Sequence, residues 1–332
     1  MSELLRPLIS RLADGRFHSG TELGEALAIS RAAVWKHMQQ LSELGLEVHS
    51  VRGKGYRLPE PVCLLERASI RAAITKEMLP GLGQLEILDA IDSTNSYAMR
   101  RLQEGTLPLV AGKHAVILAE QQTQGKGRRG RLWVSPYGRN IYMTMVRLVD
   151  TGTTGTEGIS LVVGLALIRA LSALGVPAPG VKWPNDVVAG GKKLAGILLE
   201  ISGDITGVCQ LLIGVGINVR CPPGAMQDVG QPWTDCHSLC NREIDRNVLV
   251  GSVASHIMAA LSEFEKQGLP AFHEEWRQHD VMLGREVELS TASGSRIGKA
   301  MGIADNGALI LDTGQGVQLF NGGEISLRSL NP

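Results

Sequence analysis

The sequence predicts a multidomain α/β protein: a small helical module with a β-wing, a central mixed α/β layer and a short all-β tail. Three observations carry this expectation. The chain has 332 residues, beyond the ~250–300 at which a single hydrophobic core usually stops growing. Up to Gly45, apolar residues recur at helical spacing. From Leu85 to Gln278 strand-like and helix-like runs alternate, and short strand-like runs follow to the end. The expected domains are 1–60, 61–282 and 283–332.

In the first module, Leu4, Leu5, Leu8, Ile9 and Leu12 mark one helix face that ends near Asp14-Gly15. Ser19 stands three residues before Glu22, the reciprocal capping pattern, ahead of Leu23, Ala26 and Leu27. Ser30 caps a third helix with Val34, Met38 and Leu41 inward and Gly45 as its stop. Then Glu47–Val51, the turn Arg52-Gly53-Lys54-Gly55, and Tyr56-Arg57-Leu58 read as a β-hairpin with cations at its tip. Helix-turn-helix plus hairpin is a winged helix. Arg31, Lys36, Arg52, Lys54 and Arg57 outnumber Glu43 and Glu47 here, a local balance of +3. Ser30, Arg31, Ala32, Lys36, His37 and Gln39 on the third helix, with Arg52 and Lys54 on the wing, are the expected DNA contacts. Pro59-Glu60-Pro61 reads as a stiff linker.

Such a local site is needed, because Lys+Arg 33 balances Asp+Glu 33 over the whole chain. No general attraction for nucleic acid or membrane exists. The five cysteines are odd in number and lack a paired framework, so reduced thiols and a cytoplasmic location are expected. Cys236-His237-Ser238-Leu239-Cys240 lacks the four ligands of a closed zinc site, so no metal site is expected. The longest apolar stretch, Ile159 to Leu174, is interrupted by Gly164 and Arg169 and falls short of the ~20 residues of a bilayer crossing.

In the central layer, strands are expected at Leu85–Ile91, Ala115–Ala119, Ile141–Val146, Leu194–Ile201 and Gln210–Val219, with helices at Ile159–Leu174, Leu249–Gln267 and Ala271–Asp280. Gly125-Lys126-Gly127-Arg128-Arg129-Gly130 matches a dinucleotide fingerprint in letters only, because turn formers and a strand follow it where a helix should open. Kinase and Walker partners are missing too. Three glycines with Lys126, Arg128, Arg129 and Arg131 nevertheless suit a loop that wraps phosphate or carboxylate, mobile when empty and ordered on its ligand. Asp92-Ser93-Thr94-Asn95 places small polar groups at a strand end and helix start. Lys182-Trp183-Pro184-Asn185-Asp186 and Lys192-Lys193-Leu194-Ala195-Gly196 add cations beside fixed turns.

With those stretches in view, the chain resembles bacterial biotin–protein ligases of the bifunctional class that also repress the biotin operon. The likeness runs through SGTELGEALAISRAAVWKH, VRGKGYRLPEP, IDSTN, QQTQGKGRRGRLW, KWPND, KKLAGILLE, GVGINV and GGEISLR, nearly the whole length. It implies that ATP and biotin form biotinyl-5'-AMP with Mg²⁺ on the phosphates, and that a lysine of the biotin carboxyl carrier protein then takes the biotin. By motif, Ser93, Thr94, Asn95, Gln122, Lys126, Gly127, Arg128 and Lys193 hold biotin, with Lys193 and Arg128 catalytic. Arg131, Trp133, Lys182, Asn185 and Arg328 meet the nucleotide. The resemblance also implies biotin operator DNA and a ligand-promoted homodimer. The chain departs from the family at Lys126, where the loop often has Arg, and at Pro222-Pro223, which stiffen a segment ending at Trp233. From Gly284 to Leu330, short strands with turns at Asp305-Asn306-Gly307 and Gly314-Gln315-Gly316 suit a small SH3-like barrel. Two alternatives stay open: a biotin-sensing repressor without catalysis, and a lipoate–protein ligase.

Overall fold

The structure, a computed structural model, describes residues 4–149, 158–203, 207–227, 229–291, 294–322 and 326–330. Its first elements are α1 (Leu5–Leu12), α2 (Gly20–Leu27), α3 (Arg31–Glu43), β1 (His49–Val51) and β2 (Gly55–Arg57). The apolar periodicity buries Leu5, Leu8, Ile9, Leu12, Leu23, Val34, Met38 and Leu41 in one core. The capping box forms: Glu22 N donates to Ser19 Oγ at 3.0 Å and Ser19 N to Glu22 Oε2 at 3.4 Å. The β1–β2 hairpin is docked, because His18 and Tyr56 exchange both backbone bonds at 2.9 Å. Gly55 has to be glycine there: its φ is +102° and a Cβ would lie 1.9 Å from His18 O.

The middle of the chain contains α4 (Arg67–Ala73), β3 (Leu82–Ile91), α5 (Thr94–Gln103), β4 (His114–Gln122), β5 (Ile141–Val149), α6 (Ile159–Ala173), β6 (Gly180–Lys182), β7 (Asp186–Ala189), β8 (Lys192–Gly203), β9 (Cys209–Ile217), α7 (Cys236–Cys240), α8 (Arg246–Gln267) and α9 (His273–His279). Seven strands form one sheet in the order β3-β4-β5-β9-β8-β7-β6. Only β3 and β4 pair in parallel, so their connection must cross over, which is what α5 does. Side chains alternate across the sheet. Ala115, Ile117, Val146 and Leu212 meet α5, while Val116, Leu118, Met145 and Ile213 join the core of α6 and α8 on the other face. Helix α8 is long and apolar enough to cross a membrane by length and composition, yet it lies against α4 and α6 with Leu249, Val250, Val253 and Ile257 buried.

The last strands are β10 (Glu286–Thr291), β11 (Gly294–Ile303), β12 (Leu309–Asp312), β13 (Val317–Phe320) and β14 (Ser326–Ser329), in the order β13-β12-β11-β10-β14. The expected small C-terminal β domain is present, while closure into an SH3-like barrel is not seen among the described residues. β13 and β14 lie at opposite edges and, among the described residues, no pairing joins them, so the sheet is open. Closure needs hydrogen bonds between edge strands, and alternating hydrophobicity specifies faces without specifying partners. Gly323, Glu324 and Ile325 of the GGEISLR motif lie outside the described residues.

The helical module is fastened to the sheet. Glu120, fully buried on β4, accepts from Leu65 N at 2.7 Å, Arg246 Nη1 at 2.7 Å and Arg6 Nη1 at 3.5 Å. Arg6 also reaches Asp89 at 3.2 Å and the Leu65 carbonyl. Tyr137, 1% exposed, sits within the module's own core. The stretch read as a linker is held as well: Glu60 pairs with Arg139 at 3.0 Å and Arg220 at 3.5 Å.

Candidate active site

Beyond the N-terminus of α5, on the face that α5 covers, the sheet opens into a cleft of about 740 Å³. Its floor is made by glycines. Gly214 and Gly216 are two apart on β9, so both point to this face, and Gly196 on β8 pairs with Gly216. A Cβ on Gly214 would lie 2.5 Å from Asn95 Oδ1, and one on Gly216 2.4 Å from the Trp133 ring. The missing side chains let Asn95 and the indole settle directly on the backbone. This pair was overlooked in the sequence, although the alternating glycines of GVGINV carry the signal.

At one end lies a buried polar socket. Ser93, Thr94 and Asn95 are 2–3% exposed. Thr94 donates from its backbone N–H to Gln122 Oε1 at 2.8 Å. Asn95 Nδ2 donates to Glu200 at 2.7 Å, and the Thr144 hydroxyl lies 2.8 Å from the Thr94 hydroxyl and 2.5 Å from Asn95 Oδ1. These bonds fix which end of each amide faces the cleft. Thr144 and Glu200 are positioning residues that sequence reasoning missed, being recognisable only once β5 and β8 are laid beside β9.

The other end is cationic. Lys126, Arg128, Arg129, Arg131, Lys182, Lys193 and Arg328 line it, and Asp186 is the one carboxylate among the lining residues. Asp186 pairs with Lys193 Nζ at 2.6 Å, and that ammonium stands 5.5 Å from the centre of a Trp133 ring. Burial pushes the Lys182 amine below its ordinary range; Lys193, Arg328 and Arg131 push the same way, against Asp186. The KWPND turn, with a cis Trp183–Pro184 peptide, makes the β6–β7 hairpin that carries Lys182, Asn185 and Asp186. Its Trp183 is buried and donates to Gly307 O at 3.0 Å, anchoring the C-terminal sheet beside the cleft.

Above this end the Gly-rich loop folds back on itself. Trp133 N donates to Gly125 O at 2.8 Å and Gly127 N to Arg131 O at 2.7 Å, with a short turn at Arg128–Gly130. Arg128 joins three parts of the chain: it donates to Asn185 Oδ1 at 2.9 Å and to the Gly322 carbonyl. Burial lowers its pKa, and Asp186 opposes that shift; a guanidinium stays charged regardless. On the facing side Val229–Pro232 line the cleft, tied down where Lys193 N donates to Pro232 O and Thr234 N to Lys193 O, both at 2.9 Å. Every residue expected to hold biotin or nucleotide lines this one cleft.

The expected DNA contacts lie elsewhere, on the N-terminal module. Arg31, Ala32, Lys36, Gln39, Arg52 and Lys54 are exposed. Ser30 accepts from Ala33 N at 3.2 Å as the helix cap, and His37 is half-buried, its Nδ1 2.8 Å from Gln40 Oε1. Arg57, counted with the basic patch, instead stacks over Phe17 at 4.9 Å.

Comparison with known proteins gives matches in three stretches of the chain. Residues 88–218 match the biotin/lipoate A/B protein ligase family, residues 5–57 an HTH domain, and residues 282–328 the biotin protein ligase C-terminal domain. The chain is 40% identical to the bifunctional ligase/repressor BirA of Salmonella typhimurium over 97% of both chains. It is 32% identical to the biotin–[acetyl-CoA-carboxylase] ligase of Paracoccus denitrificans over 72% of this chain and 98% of that one. The biotin protein ligase of Aquifex aeolicus in complex with biotin and ATP superposes with a TM-score of 0.62 at 28% identity, covering 75% of this chain and 100% of that one. The chain belongs to the biotin protein ligase family, among its bifunctional ligase/repressors.

Proposed function

We propose that this protein is an ATP-dependent biotin–protein ligase that also represses transcription at a biotin operator. The observation that carries the reading is a cleft in which a neutral, hydrogen-bonding socket adjoins a chamber of cations with a single carboxylate. A vitamin with a polar ring and an acid tail fits such a cleft with the tail toward the triphosphate. Ser93, Thr94, Asn95 and Gln122 bind the ring, and Lys126, Gly127 and Arg128 close over the tail. Arg131, Trp133, Lys182, Asn185 and Arg328 bind the nucleotide.

In the first step the biotin carboxylate oxygen attacks the α-phosphorus of ATP and pyrophosphate leaves, giving biotinyl-5'-AMP. Negative charge grows on phosphoryl oxygens, so preorganised cations lower the barrier. Lys193, held between Asp186 and Trp133, is the cation we assign to the reacting carboxylate and phosphate. In the second step a lysine amine of the biotin carboxyl carrier protein of acetyl-CoA carboxylase attacks the acyl carbon, and AMP leaves. Neither step needs an enzyme nucleophile. Among the described residues no three His, Cys, Asp or Glu side chains form a metal cage. A Mg²⁺ that arrives on the triphosphate would need no such cage, since one or two carboxylates suffice. Asp186 is the residue that would meet it, and the ion supplies charge neutralisation on the phosphates.

On this reading residues 1–60 read DNA, 61–282 carry the chemistry and 283–332 complete the nucleotide side. The adenylate promotes a homodimer through the central sheet, and two wings then meet a palindrome. The reaction is placed in the cytoplasm. Biotin-dependent exchange of labelled pyrophosphate into ATP tests the enzyme: exchange is expected with biotin and not with lipoate. A protein that binds biotin without exchange is a sensor only, and preference for lipoate makes it a lipoate ligase.

A further inference from the structure

The outer face of α3 carries one residue that the charge argument does not explain. Arg31, Ala32, Trp35, Lys36 and Gln39 are exposed, opposite the buried stripe of Val34, Met38 and Leu41. Trp35 is 57% exposed, the one aromatic among the large exposed hydrophobic residues of the described chain, and it takes no part in the module's core. The apolar area of an indole is worth burying, and most of this one remains in water. It is not a core residue displaced by a neighbour, because its helix stripe faces away from the core. Its surroundings also speak against a dry protein contact: Arg31 and Lys36 flank it, and Arg52 and Lys54 stand exposed at the wing tip. A partner that meets two cations and an indole on this helix face must combine negative charge with an apolar spot.

Duplex DNA combines them. Phosphates line both edges of the major groove, and the thymine C5-methyl is the apolar feature on its floor. Trp35 is the fifth residue of the thirteen in α3, within the N-terminal half that reaches base edges when such a helix enters the groove. Ala32 precedes it by one turn on the same stripe. We infer that Trp35 is a specificity-determining residue that selects a thymine in each half-site by packing its indole against the 5-methyl group. This deepens the repressor reading and rests on it.

The test uses the full-length protein with biotin and ATP. Duplexes are selected from a random library by the wild type, Trp35→Ala and Trp35→Phe. The wild type should enrich a motif with a thymine that Trp35→Ala no longer requires and Trp35→Phe retains. Replacing that thymine by uracil, which removes only the methyl, should weaken wild-type binding by about tenfold and leave Trp35→Ala indifferent. Biotin transfer and thermal unfolding should be unchanged in both variants, since Trp35 lies outside the cleft and the core. If Trp35→Ala enriches the same motif and discriminates thymine from uracil as the wild type does, the inference is wrong while DNA reading stands. A wild type that enriches no motif overturns the repressor reading and this inference together. If the variant's motif is unchanged but its dimer is weakened, Trp35 serves a contact between copies and the assignment to thymine falls.

Discussion

The outer face of α3 and the cleft on β9 both gather cations, but they hold them in opposite ways. Arg31, Lys36, Arg52 and Lys54 stand exposed, each free to follow a phosphate and each screened by salt. In the cleft, Lys193 is tied to Asp186, Arg128 is joined to Asn185 and Gly322, and Lys182 is buried among like charges. The first arrangement suits a large, rigid polyanion met from outside. The second stores repulsion that a small bound anion relieves, so ligand binding and local order are coupled there. Changes on the module's face should therefore alter binding alone, whereas changes around the cleft should alter chemistry or stability.

The sharpest break in that contrast lies where the two regions join. Glu120→Ala leaves Arg246, 2% exposed, without its counter-charge and removes an acceptor from Leu65 N. It should cost about 3–5 kcal/mol in urea unfolding, a loss that would be absent if the joint were a passive contact. Next in size, Lys193→Ala should lower pyrophosphate exchange by about 100-fold with little change in the unfolding midpoint. A fall in stability comparable to the fall in rate would make Lys193 a structural cation. Gly214→Ala puts a Cβ 2.5 Å from Asn95 Oδ1; the shift should cost about 1–3 kcal/mol and raise the KM for biotin more than that for ATP. Equal effects on both would move Asn95 out of the biotin socket.

The smallest effect belongs to the module. His18 lies 2.8 Å from Glu22 and 3.0 Å from Asp14, and its hydrogen bond to Glu22 is the main cause that raises its pKa above the usual 6.5. A raised pKa means that the stabilisation is fully present below 6.5 and is lost as pH rises through the higher folded value. With exposed partners it amounts to less than about 1 kcal/mol. Thermal unfolding near about pH 6 and about pH 8 should differ by that amount in the wild type and not in His18→Gln.

What could be read from the sequence follows the range of the interactions. The three helices and the wing of the N-terminal module are written in local signals: a capping box at Ser19 and Glu22, a cap at Ser30, and glycines at the hairpin tip. The long strands and α6 follow from runs of apolar residues. The short β6 and β7 were missed because KWPND read as a turn alone, its flanking strands being three and four residues long. The open C-terminal sheet shows the same limit, since strand partners are chosen at long range. The motif residues were found as separate stretches. That Arg128 meets Asn185, that Asp186 holds Lys193, and that Thr144 and Glu200 fix Asn95 depends on strands that pair far apart in sequence. Trp35 was passed over for a different reason: the inner stripe of Val34, Met38 and Leu41 was legible, but the outer face was read for charged and polar groups only.

The central claim is that the strap from Gly125 to Trp133, fixed through Arg128, retains a reactive mixed anhydride until an amine arrives. Single-turnover release of labelled biotinyl-5'-AMP measures this directly, comparing the wild type with Arg128→Gly in the absence of carrier protein. The account predicts slow release from the wild type and rapid escape from the variant, with the escaped adenylate labelling bystander amines. Equal retention by both proteins would contradict it.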